Sequence, residues 1–326
     1  MPANLTPQYR KAEEAFRSAA TLEEKIERLE EMIALLPKHK GTDHLYGDLK
    51  RRLAKLRSDE DRTRKSRRGP TLDFSREGAA QIILIGPPNA GKSSVLAALT
   101  NASPHVADYP FTTHAPQPGM VHWEDIQLQL IDTPPVTADF MPTHLPGLLR
   151  GADLALLVAD LSSDSVLDDL DVVRSAFARR SAVLVGSLDQ RLEPPLAPVC
   201  AIILANKLDA SDTSERLSLL REALEPPFTV YPLSCATREG VAGLPSFLVT
   251  SLGLVRVYTK APGRKPDFSH PFTVFRGGTV EDVCVLVHKD FVANLKFARL
   301  WRGSADPVVV SRDHPLEDRD VLELHV

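Results

Sequence analysis

Only three cysteines occur in the 326 residues, Cys200, Cys235 and Cys284, and they lie far apart. An odd, dispersed set argues against a disulfide framework and predicts a reducing, cytoplasmic location. No C-x-x-C or H-E-x-x-H spacing occurs, which makes a zinc site unexpected. No run reaches the roughly 18 apolar residues of a membrane-spanning helix. The N-terminus lacks the apolar stretch of a secretory signal, so no membrane partner is expected. Charge of one sign is lacking too: 39 Lys+Arg against 43 Asp+Glu give a formal net charge of −4. Such a chain is not a general nucleic-acid coat. Internal repeats and long low-complexity tracts are absent as well.

What charge there is divides the chain. Residues 1–69 hold 17 Lys+Arg and 12 Asp+Glu, and the excess concentrates in 50–68. A positive arm on an acidic body suggests a polyanionic partner at one end. The RNA candidates there are Lys50, Arg51, Arg52, Lys55, Arg57, Arg64, Lys65, Arg67 and Arg68. Leu22, Ile26, Leu29, Ile33 and Leu36 recur at helical spacing, and Leu45, Leu49, Leu53 and Leu56 repeat the pattern. Two helices joined around 37–41 predict a helical hairpin, followed by a basic linker at 62–70. A solvated stalk with no binding role is the plain alternative. From about residue 70 short apolar runs alternate with helical patterns: 82–85, 121–123, 126–131, 154–159, 201–205 and 229–233. That alternation predicts an α/β fold, a mostly parallel sheet with helices on both faces. After Pro266 a third segment begins, short and rich in strand formers.

Residues 86–93 read Gly-Pro-Pro-Asn-Ala-Gly-Lys-Ser, between an apolar strand pattern and a helical one. This G-x-x-x-x-G-K-S spacing is a phosphate-binding loop in the context it requires. Gly86 and Gly91 let the backbone curl so that its N–H groups face phosphate oxygens. Pro88, Asn89 and Ala90 complete this nucleotide-binding loop. The helix start adds partial positive charge. Lys92 can reach the β- and γ-phosphates, Ser93 offers a hydroxyl to Mg2+, and Ser94 can touch the α-phosphate. The base is read at Asn206-Lys207-Leu208-Asp209, after the run 201–205. The Asp209 carboxylate can accept from guanine N1–H and the 2-amino group, whereas adenine would leave it unpaired. Asn206 can steady the loop and the Lys207 stem can cover the ring. Backbone N–H groups of Ser234, Cys235 and Ala236 can meet guanine O6. Cys235 is then a loop residue and not a nucleophile.

The order G-P-P-N-A-G-K-S, Y-P-F-T-T (109–113), D-T-P (132–134), N-K-L-D and S-C-A resembles a translation-factor-class GTPase. More narrowly it resembles the Obg/DRG family, as a shortened prokaryotic member. P-K-H-K-G-T (37–42) and L-K-R-R-L-A-K-L-R (49–57) are similar to the N-terminal helical region of DRG proteins. F-R-G-G-T-V-E-D-V-C (275–284), V-H-K-D (287–290), F-A-R-L-W (297–301) and L-E-D-R-D-V-L (316–322) resemble a TGS domain, a small β-grasp module. The resemblance implies a helical region at 1–69, a P-loop GTPase domain at 70–270 and a TGS domain at 271–326. It implies that Thr113, with Thr112 as the register alternative, ligates Mg2+ together with Ser93, and that Asp132 holds the ion through water. It gives Asn89 as a candidate ligand for K+. It implies ribosomal or RNA partners through the basic region and the TGS domain. Phe291, Phe297 and Trp301 are expected in the TGS core rather than as stacking platforms.

Two departures matter. The family's D-x-x-G is here Asp132-Thr133-Pro134-Pro135, and Pro135 has no N–H to give a γ-phosphate. Val136 follows, so no glutamine can be placed to orient water, and no catalytic side chain is assigned. The expected function is a GTP- and GDP-binding switch that hydrolyses GTP slowly on ribosomes or RNA; the sequence leaves its oligomeric state open, with a monomer favoured. The alternative is a nucleotide-stabilised scaffold with little GTPase activity. An ATPase or kinase is a third reading, opposed by Asp209.

Overall fold

In the computed structural model, residues 12, 16, 22–36, 46, 49–53, 74–100, 116–187, 196–224, 227–303 and 305–326 are described. The chain divides into two units, 1–72 and 73–326. In the first, helix α1 spans Leu22–Leu35. Its buried stripe is Leu29, Met32 and Leu36, joined by Ala12 and Leu49. Residues 49–53 are helical as well. Lys50, Arg51 and Arg52 are exposed. The Lys50 ammonium sits 4.9 Å from the Tyr46 ring centre. Lys55, Arg57, Arg64, Lys65, Arg67 and Arg68 lie outside the described residues, as do Thr112 and Thr113.

In the second unit, β1 (Ala80–Ile85) is buried at every position, which a continuous apolar run in a central strand requires. Helix α2 (Lys92–Leu99) follows. Strands β2 (Gln117–Trp123) and β3 (Ile126–Asp132) form an antiparallel hairpin. Then come α3 (Leu145–Gly151), β4 (Leu154–Asp160), α4 (Val166–Ala178), β5 (Ala182–Val185) and β6 (Ala197–Asn206). Helix α5 (Thr213–Ala223), β7 (Thr229–Pro232) and α6 (Leu244–Leu252) complete the layer. The sheet runs β2-β3-β1-β4-β6-β5, with β7 also on β6, and only β2 is antiparallel. Two apolar layers cover it. Leu149, Leu170, Phe177 and Leu220 pack on one face. Val95, Leu96, Leu244 and Leu248 pack on the other.

A second sheet, β11-β10-β12-β8-β9, occupies the C-terminal part. It comprises β8 (Leu254–Thr259), β9 (Asp267–Phe275), β10 (Phe297–Trp301), β11 (Val308–Val310) and β12 (Asp320–His325). Helix α7 (Val280–Val287) packs against it, started by a reciprocal Thr279–Asp282 cap. This moves the expected boundary at 270/271 back to about Leu254. The reason is long-range pairing: β8 lies parallel to β12, which is far away in sequence. Val255 and Val257 of β8 enter the same core as Val283, Leu300 and Leu322. Phe291 packs on that core, but Phe297 and Trp301 do not. They lie on the outer face, where Phe297 stacks on His325 at 4.3 Å and the Lys260 ammonium sits 4.2 Å from the Trp301 ring centre.

Candidate nucleotide site

The C-terminal ends of β1, β3, β6 and β7 meet at one end of the first sheet, the usual crevice of an open α/β sheet. Leaving β1, the chain turns at Gly86, where a Cβ would stand 2.8 Å from the Val158 carbonyl oxygen of β4. At Gly91 φ is 94°, and a Cβ would stand 2.2 Å from Asn206 Nδ2. The loop closes because both positions are glycine. Pro88 and Asn89 are exposed at its tip and Ala90 is buried. Asn89 holds φ 58°, a left-handed conformation asparagine tolerates.

Lys92 is 7% exposed. Its Nζ donates to Pro87 O at 2.8 Å and to Gly86 O at 3.2 Å. Burial pushes its pKa down to about 8, with Asp132 pulling the other way. Ser93 is exposed beside it, and its hydroxyl donates to Asp132 Oδ2 at 2.5 Å. Ser94 is exposed in the next position. Beyond Asp132 the chain is tied to its neighbours. The buried Thr133 hydroxyl donates to Leu84 O at 2.6 Å. Val136, fully buried, donates its N–H to Gly86 O at 3.1 Å. The amide after Pro135 therefore already serves the phosphate loop.

On the base side, Asn206 is 2% exposed and joins three loops. Its Nδ2 donates to Ala90 O at 2.9 Å, and its Oδ1 accepts from Cys235 N–H at 3.3 Å. Asp209 is exposed, and its Oδ1 accepts from the fully buried Ser234 hydroxyl at 2.5 Å. Ser234 Oγ accepts in turn from Thr237 N–H at 3.0 Å. Ser234 N–H goes to Glu239 O at 2.9 Å, while Ala236 is exposed. Lys207 has φ 64°, and its Nζ donates to Asp160 Oδ2 at 2.5 Å. Burial raises the Cys235 pKa to about 11, which leaves the thiol inert.

Sequence reasoning missed two groups. Asp160, at the end of β4, braces Lys207, and hydrogen bonds from Lys207 and Ser162 outweigh its burial to keep it ionised. A carboxylate closing an apolar strand was the available signal, since β4 and β6 pair with Asp160 opposite Asn206. The second is the Ser234 side chain, which orients Asp209 where only backbone contacts were expected.

Residues 81–186 match the 50S ribosome-binding GTPase family, and residues 255–326 match the TGS domain. A GTP-binding protein of Methanocaldococcus jannaschii is 29% identical, covering 93% of this chain and 92% of its own length. Developmentally-regulated G-protein 2 of Arabidopsis thaliana is 28% identical over 92% of this chain and 90% of its own. Among solved structures, the Schizosaccharomyces pombe YchF GTPase aligns with a TM-score of 0.53 at 13% identity, covering 77% of this chain and 98% of that one. A GTP-binding protein of Pyrococcus horikoshii aligns with a TM-score of 0.51 at 17% identity, covering 75% and 99%. These two solved structures share the fold. No helix among the described residues is long and apolar enough to cross a membrane.

Proposed function

We propose, for a chain that is a GTP-binding protein of the DRG/Obg-type GTPase family, a slow GTPase switch that acts on ribosomes or RNA. The observation that carries the nucleotide part is Asn206, whose two hydrogen bonds join the phosphate loop to the base loops. Lys92 neutralises the β- and γ-phosphates. Loop amides from Pro88 to Ser94, Pro88 excepted, line the phosphates. Asp209, aimed by Ser234, reads the guanine N1–H and 2-amino group. Because the Ser234 and Cys235 amides are engaged, guanine O6 falls to the Ala236 N–H.

Mg2+ fits the residues present. The Ser93 hydroxyl and Asp132 carboxylate oxygens stand 2.5 Å apart, an all-oxygen pair of the kind this ion takes. Ser93 and Thr113 would ligate it directly and Asp132 through water. When bound, the ion neutralises charge on the β- and γ-phosphate oxygens. Asn89 is the candidate K+ ligand.

Co-sedimentation with ribosomal subunits tests the switch. Retention with a non-hydrolysable GTP analogue and release with GDP is the expected result. Equal binding in both states would overturn it. Lys50, Arg51, Arg52 and the basic residues beyond them supply the RNA contacts, so retention should fall as salt rises.

One observation favours a second reading, a nucleotide-stabilised scaffold. The Val136 N–H is held by Gly86 O, and Pro135 has no N–H, so the segment after Asp132 is short of donors for a γ-phosphate. Pro135→Gly decides between the two readings. If this segment limits switching, the variant should gain several-fold in preference for the GTP analogue over GDP. An unchanged preference would show that Pro135 does not limit the native switch.

A further inference from the structure

Arg256 is the most heavily engaged cation among the described residues, and it stands far from the nucleotide site. On β8, Val255 and Val257 face the core of the second sheet, so Arg256 faces the other way. It is nonetheless only 3% exposed. Its Nη1 donates to Glu124 Oε2 at 2.5 Å and to Asp125 Oδ1 at 2.8 Å. Its Nε and Nη2 donate to the two Asp318 oxygens at 3.0 and 2.7 Å. Its guanidinium lies 4.6 Å from the Trp123 ring centre. Around it, the Tyr258 hydroxyl donates to Asp125, and Arg319 donates to Glu124 at 2.8 Å. Hydrogen bonds from Arg256 and Arg319 hold the Glu124 carboxyl below its usual range.

The partners identify what this cluster joins. Trp123, Glu124 and Asp125 form the tip of the β2–β3 hairpin. Asp318 and Arg319 form the turn before β12 in the second sheet. At the other end of the same hairpin, Gln117 pairs with Asp132, the acceptor of the Ser93 hydroxyl. Seven residues of strand, roughly 20 Å, separate the two ends. Among the described residues β2 pairs only with β3, so strand pairing reaches the hairpin through β3, from β1 and from the Gly78 bridge just before it. A hairpin held on one side and clasped at its tip has a position that both ends can bias.

We propose that Arg256 is a positioning residue: it fixes the tip of the β2–β3 hairpin to the TGS sheet, so that the nucleotide bound near Asp132 and the placement of that sheet are linked. The proposal rests on the nucleotide site described above. The linkage is reciprocal, so a ligand that shifts the TGS sheet changes the relative affinity for GTP and GDP. A fork-shaped guanidinium suits this role, because three separate nitrogens in a fixed plane bond both sides at once, whereas a lysine offers a single nitrogen.

The protein carries two tryptophans, Trp123 and Trp301. In full-length Trp301→Phe, emission therefore reports on Trp123 under the guanidinium. Loading with GDP or with a non-hydrolysable GTP analogue should give two different emission intensities. Arg256→Gln should abolish that difference and change the analogue-to-GDP affinity ratio at least threefold, with both nucleotides still bound. Arg256→Lys should restore the fold but not the ratio. The Glu124→Gln, Asp125→Asn pair, on a solvent-accessible turn, should shift the ratio similarly, and serves if Arg256→Gln does not fold. Identical Trp123 emission in both states, with an unchanged ratio in these variants, overturns the proposal. Failure of the unmodified protein to bind either nucleotide would instead overturn the nucleotide site itself.

Discussion

Asp209→Asn should exchange guanosine for xanthosine nucleotides. Guanine presents N1–H and a 2-amino group, both donors, to an acceptor-only carboxylate. An amide in its place accepts one of them at most and opposes the other with its own NH2. Hydrogen bonds to a charged group contribute about 1.5–3 kcal/mol each. The loss should therefore be roughly 100-fold or more in GTP affinity. Xanthine carries an oxygen where guanine carries the amino group, so the new NH2 gains a partner and affinity returns. The structure makes the variant a clean one. Asp209 Oδ1 accepts from Ser234 Oγ, and the asparagine Oδ1 can keep that bond while turning Nδ2 toward the base. Competitive displacement of a fluorescent GDP by GTP and by XTP measures both halves. Undiminished GTP affinity would remove Asp209 from the base site.

The contrast between Asp209 and Ser234 marks how far the sequence could be read. Strand, glycine-rich loop and helix follow one another within about 20 residues, and so the phosphate loop was legible from spacing alone. N-K-L-D was legible because its tetrapeptide ends an apolar run. Neither signal depends on how distant segments pair. The Ser234–Asp209, Lys207–Asp160 and Arg256–Glu124 contacts join residues 25, 47 and 132 positions apart, and no periodicity encodes them. The boundary near Leu254 was hidden for the same reason. β8 carries alternating Val255 and Val257 whichever sheet it joins, and only its pairing with β12 decides the matter. Pro135 was visible in the sequence. Its consequence, the next amide closing on Gly86 O, was not.

Lys92 sets function against stability, and its replacement should move the two in opposite directions. In the free protein it is a buried cation whose pKa is lowered to about 8, first by desolvation. An unfolded lysine titrates near about 10.4. A depressed folded pKa means the folded state gives up the proton more easily. The penalty is present in full below pH of about 8 and fades as pH rises toward the unfolded value, by about 3 kcal/mol in order of magnitude. Lys92→Met keeps the stem and removes that penalty. The Gly86 carbonyl retains the Val136 N–H, although Pro87 O gives up the Lys92 bond. The free variant should therefore melt no lower than the native protein. Triphosphate affinity should fall by roughly 100- to 1,000-fold, because charge-assisted bonds to two phosphates are lost. A pH signature separates this from general damage. Phosphates restore the Lys92 proton, so above pH of about 8 native binding takes up a proton and weakens by up to about tenfold per unit. Calorimetry in buffers of different ionisation heat should find uptake near zero at about pH 7 and close to one proton at about pH 9. Lys92→Met should bind weakly and without this uptake. A variant that keeps native affinity would move the phosphate site away from this loop. One that loses affinity and melting temperature together would make Lys92 a structural residue.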